Sequence, residues 1–172
     1  MSALSVGLLA TAVHSQQIEP GRFGVSPTKQ AIADGKKSER TAARNSAELA
    51  MLQMKMEFGT GLLACEMKQK LAFTYAGYRD EARISAALRE MHEERAKSDR
   101  LALEQLKIIT KAELPETTKA AAKEAYTSWA AYLDSMLAAG SPREAQLVAV
   151  GPAAAQYRKA LQDFELEQKL SR

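Results

Sequence analysis

Apolar residues recur along this chain at helical spacing, and no stretch alternates apolar with polar as a half-buried strand would. The clearest run is residues 62–114, which holds no proline, one glycine (Gly77) and mostly Ala, Leu, Met, Glu, Lys, Arg and Gln. Those residues lose least on entering a helix. The pattern predicts one long central helix there, roughly 70–80 Å if unbroken. Leu71, Tyr75, Tyr78 and Ala82 form a stripe at spacings of four, three and four. Ile84, Leu88 and Met91 continue it, and Leu101, Leu103, Leu106, Ile108 and Ile109 rebuild an apolar face at the far end. Between them residues 92–100 (HEERAKSDR) are almost wholly polar, which predicts a segment that projects into solvent or bends at a partner. Glu66–Lys70 and Glu93–Lys97 are spaced as favourable pairs. Leu114-Pro115 closes the helix, because proline disfavours the α conformation before it.

Ahead of this run, Ser26-Pro27 signals a helix start, and a first helix is expected from about Pro27 to Phe58. Its opening half is polar nearly all round and contains Gly35, so it is expected to fray. Its closing half presents Ala43, Ala47, Ala50, Met54 and Phe58 on one face, and Gly59-Thr60-Gly61 is expected to end it. Beyond Pro115 a third helix carries Tyr126, Trp129, Leu133 and Met136/Leu137 inward and stops at Gly140. Ser141-Pro142-Arg143-Glu144 is a capping box with proline in the first turn. Gly151-Pro152 cuts that short helix off, and a last one, about 152–170, turns Tyr157, Leu161 and Phe164 inward, with Leu170 as a further candidate for that face. The expected architecture is all-α: an antiparallel bundle of about four main helices over residues 27–172, with one long central helix (about 62–114). Trp129 is expected to anchor the core against the Leu71, Tyr75, Tyr78 stripe; the rival reading makes Trp129 and Tyr132 surface anchors for a partner.

The N-terminus changes the picture of compartment. Ala3–Val13 is an apolar run too short to span a bilayer as a helix. With small or modest residues before a cut after Ser15, it reads as a secretory leader, although residues 1–3 lack Lys or Arg. The alternatives are an apolar arm that docks on the bundle, or an uncleaved leader. Residues 16–26, with Pro20, Gly21 and Gly24, read as a linker or extended arm. A periplasmic or secreted protein is the expectation, with a cytoplasmic or virion-associated one as the alternative. No stop-transfer segment follows, so no transmembrane segment is expected.

Composition fits a single globular domain: 172 residues, 46% apolar and 26% charged. The net charge of +3 is the remainder of 24 basic and 21 acidic residues, which gives no nucleic-acid signature. The only asymmetry is Lys29–Arg44, five basic residues against two acidic, and it makes Lys36, Lys37, Arg40 and Arg44 candidates for contact with an acidic partner.

Candidate chemistry is sparse. His92-Glu93-Glu94-Arg95 lacks the second histidine of a zincin motif, so His92 is expected to be an exposed helix residue. No glycine-rich phosphate loop, nucleophile elbow or dinucleotide fingerprint occurs. The carboxylates have basic neighbours and look like solvated pairs, so neither catalytic residues nor a cofactor is expected. Cys65, the single cysteine, is expected to be a buried thiol. Met51, Met54, Met56, Cys65 and Met67 are soft groups of the kind that bind Cu(I), and an antiparallel turn at 59–61 would bring them together. As core fillers they need no metal.

Trp129-x-x-Tyr132-x-Asp134, after the alanine-rich lead AAAKEAY, resembles a stretch of small secreted lysozyme-inhibitor-like helical domains. The likeness covers about fifteen residues. Those domains carry cysteines around the stretch, where Met136 and Leu137 stand here. The resemblance implies a secreted inhibitor as one reading. The leading expectation is a non-enzymatic helical interaction protein, exported or part of a secretion, conjugation or virion assembly. Its partner is another protein, self-association through the long helix included. A small-ligand or copper carrier is the alternative.

Overall fold

The computed structural model describes residues 29–171, with side chains from residue 35 onward. The expected leader (1–15), linker (16–26) and Ser26-Pro27 helix start lie outside the described residues. The described chain is all-α. Five helices follow in order: α1 (Lys29–Gly77), α2 (Glu81–Lys111), α3 (Glu116–Ala138), α4 (Pro142–Val150) and α5 (Pro152–Leu170). The long helices alternate in direction. Gly61 meets Ser98 and Lys68 pairs with Glu90, so α2 runs back along α1. Arg95 pairs with Asp134 while Tyr126 bonds Asp99, so α3 runs back along α2. Lys55 pairs with Glu165, and Arg44 donates to the carbonyl of Ser171, so α5 also opposes α1.

The bundle is antiparallel as expected, but its longest element is not residues 62–114. α1 runs unbroken through Gly59-Thr60-Gly61 for 49 residues, and the reversal falls at 78–80. The physical reason is tertiary. Gly61 is buried, and a Cβ there would stand 2.9 Å from Ser98 Cβ and 3.0 Å from the Trp129 ring. The glycine is there so that α2 and α3 can close on the helix, not to end it. The real stop is a Schellman motif: the N–H of Asp80 donates to Tyr75 O at 3.1 Å, and that of Arg79 to Ala76 O at 3.1 Å. Arg79 takes φ 57°, the left-handed conformation usual for glycine. Asp80 then caps α2, its carboxylate accepting from Arg83 N at 3.1 Å.

Other boundaries fall close to expectation. α2 ends at Lys111, three residues before Leu114, and Ser141 caps α4 by accepting from Glu144 N. The Glu144 side chain reaches back to Gly140 N at 2.7 Å. Residues 92–100 do not interrupt α2, and one side of the stretch packs inward. Ser98 is buried against Gly61, and Arg95 lies over the Trp129 ring at 5.7 Å. Glu66–Lys70 forms as expected, whereas Glu93 pairs with Arg89 and Lys97 with Glu94.

The core gathers Met51, Met54, Phe58 and Cys65 of α1, Met91, Ala102 and Ile109 of α2, Trp129 and Leu133 of α3, and Phe164 of α5. Leu106, Met136 and Tyr157 complete it, and alanines including Ala122, Ala125 and Ala160 let helices approach closely. Leu170, a candidate for the inward face, is exposed because α5 ends there beyond the core. Residues 35–46 are exposed on every side, and that end of α1 extends as a polar arm. No described helix is long and apolar enough to cross a membrane.

Candidate functional site

Trp129 is fully buried, which excludes it as a surface anchor. It does not pack where the sequence suggested. Leu71 and Ala82 are exposed, Tyr78 is 79% exposed, and the ring instead stacks on Phe58 at 4.9 Å. Its indole N–H donates to Phe58 O at 3.1 Å. Over it lies a charged network: Arg95 bonds Asp99 at 3.1 Å and Asp134 at 3.2 Å, and the Tyr126 hydroxyl donates to Asp99 at 2.7 Å. Burial and that carboxylate push the Tyr126 phenol up to about 12. Each group here satisfies another, and the network packs over the Trp129 ring.

Tyr132 is half-buried and stacks on Tyr157 at 5.9 Å. Burial raises its phenol, with Glu66 as the second cause. It lines a cavity of about 400 Å³ between α1, α3 and α4, with Phe73, Met136, Pro142, Ala145 and Ala149 as its apolar walls. Gln69, whose side-chain amide donates to Met136 O, forms its floor. α4 contributes Pro142, Ala145, Gln146 and Ala149 to this lining and buries none of its own residues.

Lys36, Lys37, Arg40 and Arg44 all sit on the polar arm of α1. Arg40 reaches Glu113 at 3.8 Å, and Arg44 holds Glu48 at 3.5 Å and the carbonyl of Ser171. The copper candidates do not converge. Because α1 is continuous, Met54 and Cys65 stand roughly 17 Å apart along it. Met51, Met54 and Cys65 face the core while Met56 and Met67 face outward, so the five cannot share one ion. Among the described residues no three His, Cys, Asp or Glu side chains are grouped to hold a metal. Cys65 is buried as expected, its Sγ 3.8 Å from Met91 O, and burial pushes the thiol up to about 11. His92 is exposed, also as expected.

One feature escaped the sequence reading. α1 has a second apolar face, half a turn from the core, made by Leu49, Leu52, Met56, Leu63, Met67 and Leu71, with Thr60 in the middle. Met56 and Leu63 are each 59% exposed. From Leu49 through Thr60 to Leu71 the steps are three, four, four and again three, four, four. That is an eleven-residue repeat, close to the period of a straight helix, so the stripe runs along α1 for roughly 33 Å without drifting round it. The spacing was visible in the sequence, but it counts as one stripe only once residues 49–71 are one helix.

Compared with known protein families, curated proteins and solved structures, the chain matches none.

Proposed function

We propose that this is a non-enzymatic helical protein that acts by contact with another protein, through the outward stripe of α1. The stripe supports the reading most directly. Single exposed leucines are ordinary on a monomer, but six large apolar side chains in one line on a charged helix mark a contact surface. The polar arm with Lys36, Lys37, Arg40 and Arg44 lies beyond one end of the stripe and keeps that end of α1 in solvent, leaving the stripe as its apolar contact face. Export, or membership in a secretion, conjugation or virion assembly, belongs to this proposal on the strength of Ala3–Val13 alone.

A photo-crosslinking residue placed at Leu63 in cells, with His92 as an exposed control on another helix, tests it. Discrete protein adducts from Leu63 and none from His92 are expected. Equal or absent adducts at the two positions would sink the proposal.

The cavity beneath α4 favours a second reading, a small-ligand carrier. Its volume of about 400 Å³ falls in the range of ligand sites, and its walls are mainly apolar, with Tyr132, Gln69, Thr74 and Gln146 as polar points and the Glu66–Lys70 pair among its lining residues. Native mass spectrometry of protein purified from its own cells would show a retained small molecule, lost in Ala145→Phe. An unliganded mass would count against it.

A further inference from the structure

We infer that the stripe on α1 is covered by a second copy of this chain, packed antiparallel with Thr60 at the two-fold axis. This rests on the reading of the stripe as a contact surface and names its occupant. Three observations converge on it.

The first is symmetry in the stripe itself. Leu49, Leu52 and Met56 lie on one side of Thr60, and Leu63, Met67 and Leu71 on the other. Reversed about Thr60, three large apolar residues meet three large apolar residues. A two-fold interface requires this, because the same patch must be its own complement.

The second is the centre. Gly59 and Thr60 are the smallest side chains on this face, and the space beside Gly59 is open, with nothing within 4 Å of an added Cβ. Two helices crossing there could bring their backbones closest at the point where bulk is least. Thr60 turns its hydroxyl back to Met56 O at 3.0 Å, so it places no unsatisfied donor at the crossing.

The third is charge. Along one edge of the stripe stand Glu48, Lys55, Glu66 and Lys70. In an antiparallel pair the same edge of each helix faces itself. With Thr60 on the axis, Glu48 comes within two residues of the second copy's Lys70, and Lys55 within one residue of the second copy's Glu66, both inside side-chain reach. Each pair occurs twice. Within one chain these groups are held by Arg44 at 3.5 Å, Glu165 at 3.7 Å and, for Glu66 and Lys70, each other at 2.6 Å. Such exposed pairs rearrange at little cost. The charges therefore set register, and the twelve apolar side chains supply the affinity.

Single-cysteine disulfide trapping tests orientation, with sedimentation for mass. Buried Cys65 stays in place, and the parent chain serves as its control. Thr60→Cys is expected to form a disulfide dimer on mild oxidation. Leu49→Cys alone should not, whereas Leu49→Cys mixed with Leu71→Cys should give the crossed dimer. The parent should sediment as a dimer at micromolar concentration. Leu52→Glu with Leu63→Glu should sediment as a monomer with unchanged helicity. Self-linking of Leu49→Cys would mean a parallel pair and overturn the inference. A monomeric parent with no Thr60→Cys dimer would overturn it too. In that case, adducts of other proteins at Leu63 would leave the contact reading standing, and the absence of any adduct would remove both.

Discussion

The Trp129 indole N–H donates to the main-chain oxygen of Phe58 at 3.1 Å, and the two rings stack 4.9 Å apart. One tryptophan thus joins α3 to the middle of α1, its edge against Gly61, with Tyr126 tilted beside it at 6.2 Å. Truncation removes both the ring's packing and the hydrogen bond. Trp129→Ala should cost roughly 3–5 kcal/mol in urea unfolding. Trp129→Phe should cost less but remain destabilising, because a ring of smaller volume leaves a gap beside Gly61. The parent should emit blue-shifted, iodide-resistant fluorescence. Red, quenchable emission would contradict the burial of the ring.

Gly61 and Gly59 are two residues apart and should respond in opposite directions. A Cβ at Gly61 meets Ser98 Cβ at 2.9 Å, an atom one bond from backbone that cannot swing away. Gly61→Ala should therefore destabilise by about 1–3 kcal/mol, despite alanine's better helix propensity. At Gly59 nothing among the described residues lies within 4 Å, and Gly59→Ala placed in the monomeric Leu52→Glu, Leu63→Glu chain should stabilise by up to about 1 kcal/mol. Thermal melts of the two variants decide it. Equal shifts would mean that Gly61 is not a packing glycine.

Those two glycines also explain where the sequence misleads. Helix class, the Ser141 cap, the Gly151-Pro152 break and the inward face of α3 follow from local signals, and the structure places them accordingly. Gly59-Thr60-Gly61 gives the same local signal as a C-cap, but Gly61 answers to Ser98 and Trp129, residues distant in sequence. The true reversal was marked only by Gly77 and by Asp80 before Glu81, with arginine where a glycine would have announced it. One displaced turn then carried three errors with it. It assigned Tyr78 to the core, brought Met54 and Cys65 together, and divided the outer stripe of α1 between two helices. Arg95, Ser98 and Asp99 were misjudged for another reason: polar side chains pack inward when they find partners, and Asp134, Gly61 and Tyr126 are not readable from positions 92–100.

Alkaline pH should destabilise the fold through its buried thiol and phenols. Cys65 is pushed up to about 11, by burial first, with nearby Glu94 adding to it against an opposing Arg95. Tyr126 and Tyr157 are each pushed up to about 12, again chiefly by burial. In each case the folded state holds its proton longer than the unfolded chain does. Stability contributed by the neutral forms is therefore fully present below about 9 and falls as pH rises toward 12. Urea midpoints should be level from neutrality to about pH 9 and then decline. Cys65→Ala should lose the earliest part of that decline. The thiol should also resist a disulfide reagent at pH 8 until urea unfolds the chain. Rapid labelling under native conditions would show that the Cys65 site opens.

The reversal between α1 and α2 holds an arginine in a glycine's conformation. Arg79 sits at φ 57°, where the Cβ of an L-residue crowds the following carbonyl at a cost of about 1–2 kcal/mol. Its N–H and that of Asp80 nevertheless satisfy the carbonyls of Ala76 and Tyr75, so the turn is fixed by hydrogen bonds rather than by residue type. Its side chain is exposed. Arg79→Gly relieves the strain but gives the unfolded chain more freedom, and these partly cancel. A net gain of up to about 1 kcal/mol is expected, read as a higher urea midpoint at unchanged slope. Asp80→Ala should act in the opposite sense, losing about 0.5–2 kcal/mol, because Arg83 N then has no side-chain acceptor. Both effects on the same hairpin would establish the reversal at 78–80. If Arg79→Gly destabilises while Asp80→Ala is neutral, α1 does not end there, and the continuous face from Leu49 to Leu71 has to be drawn again.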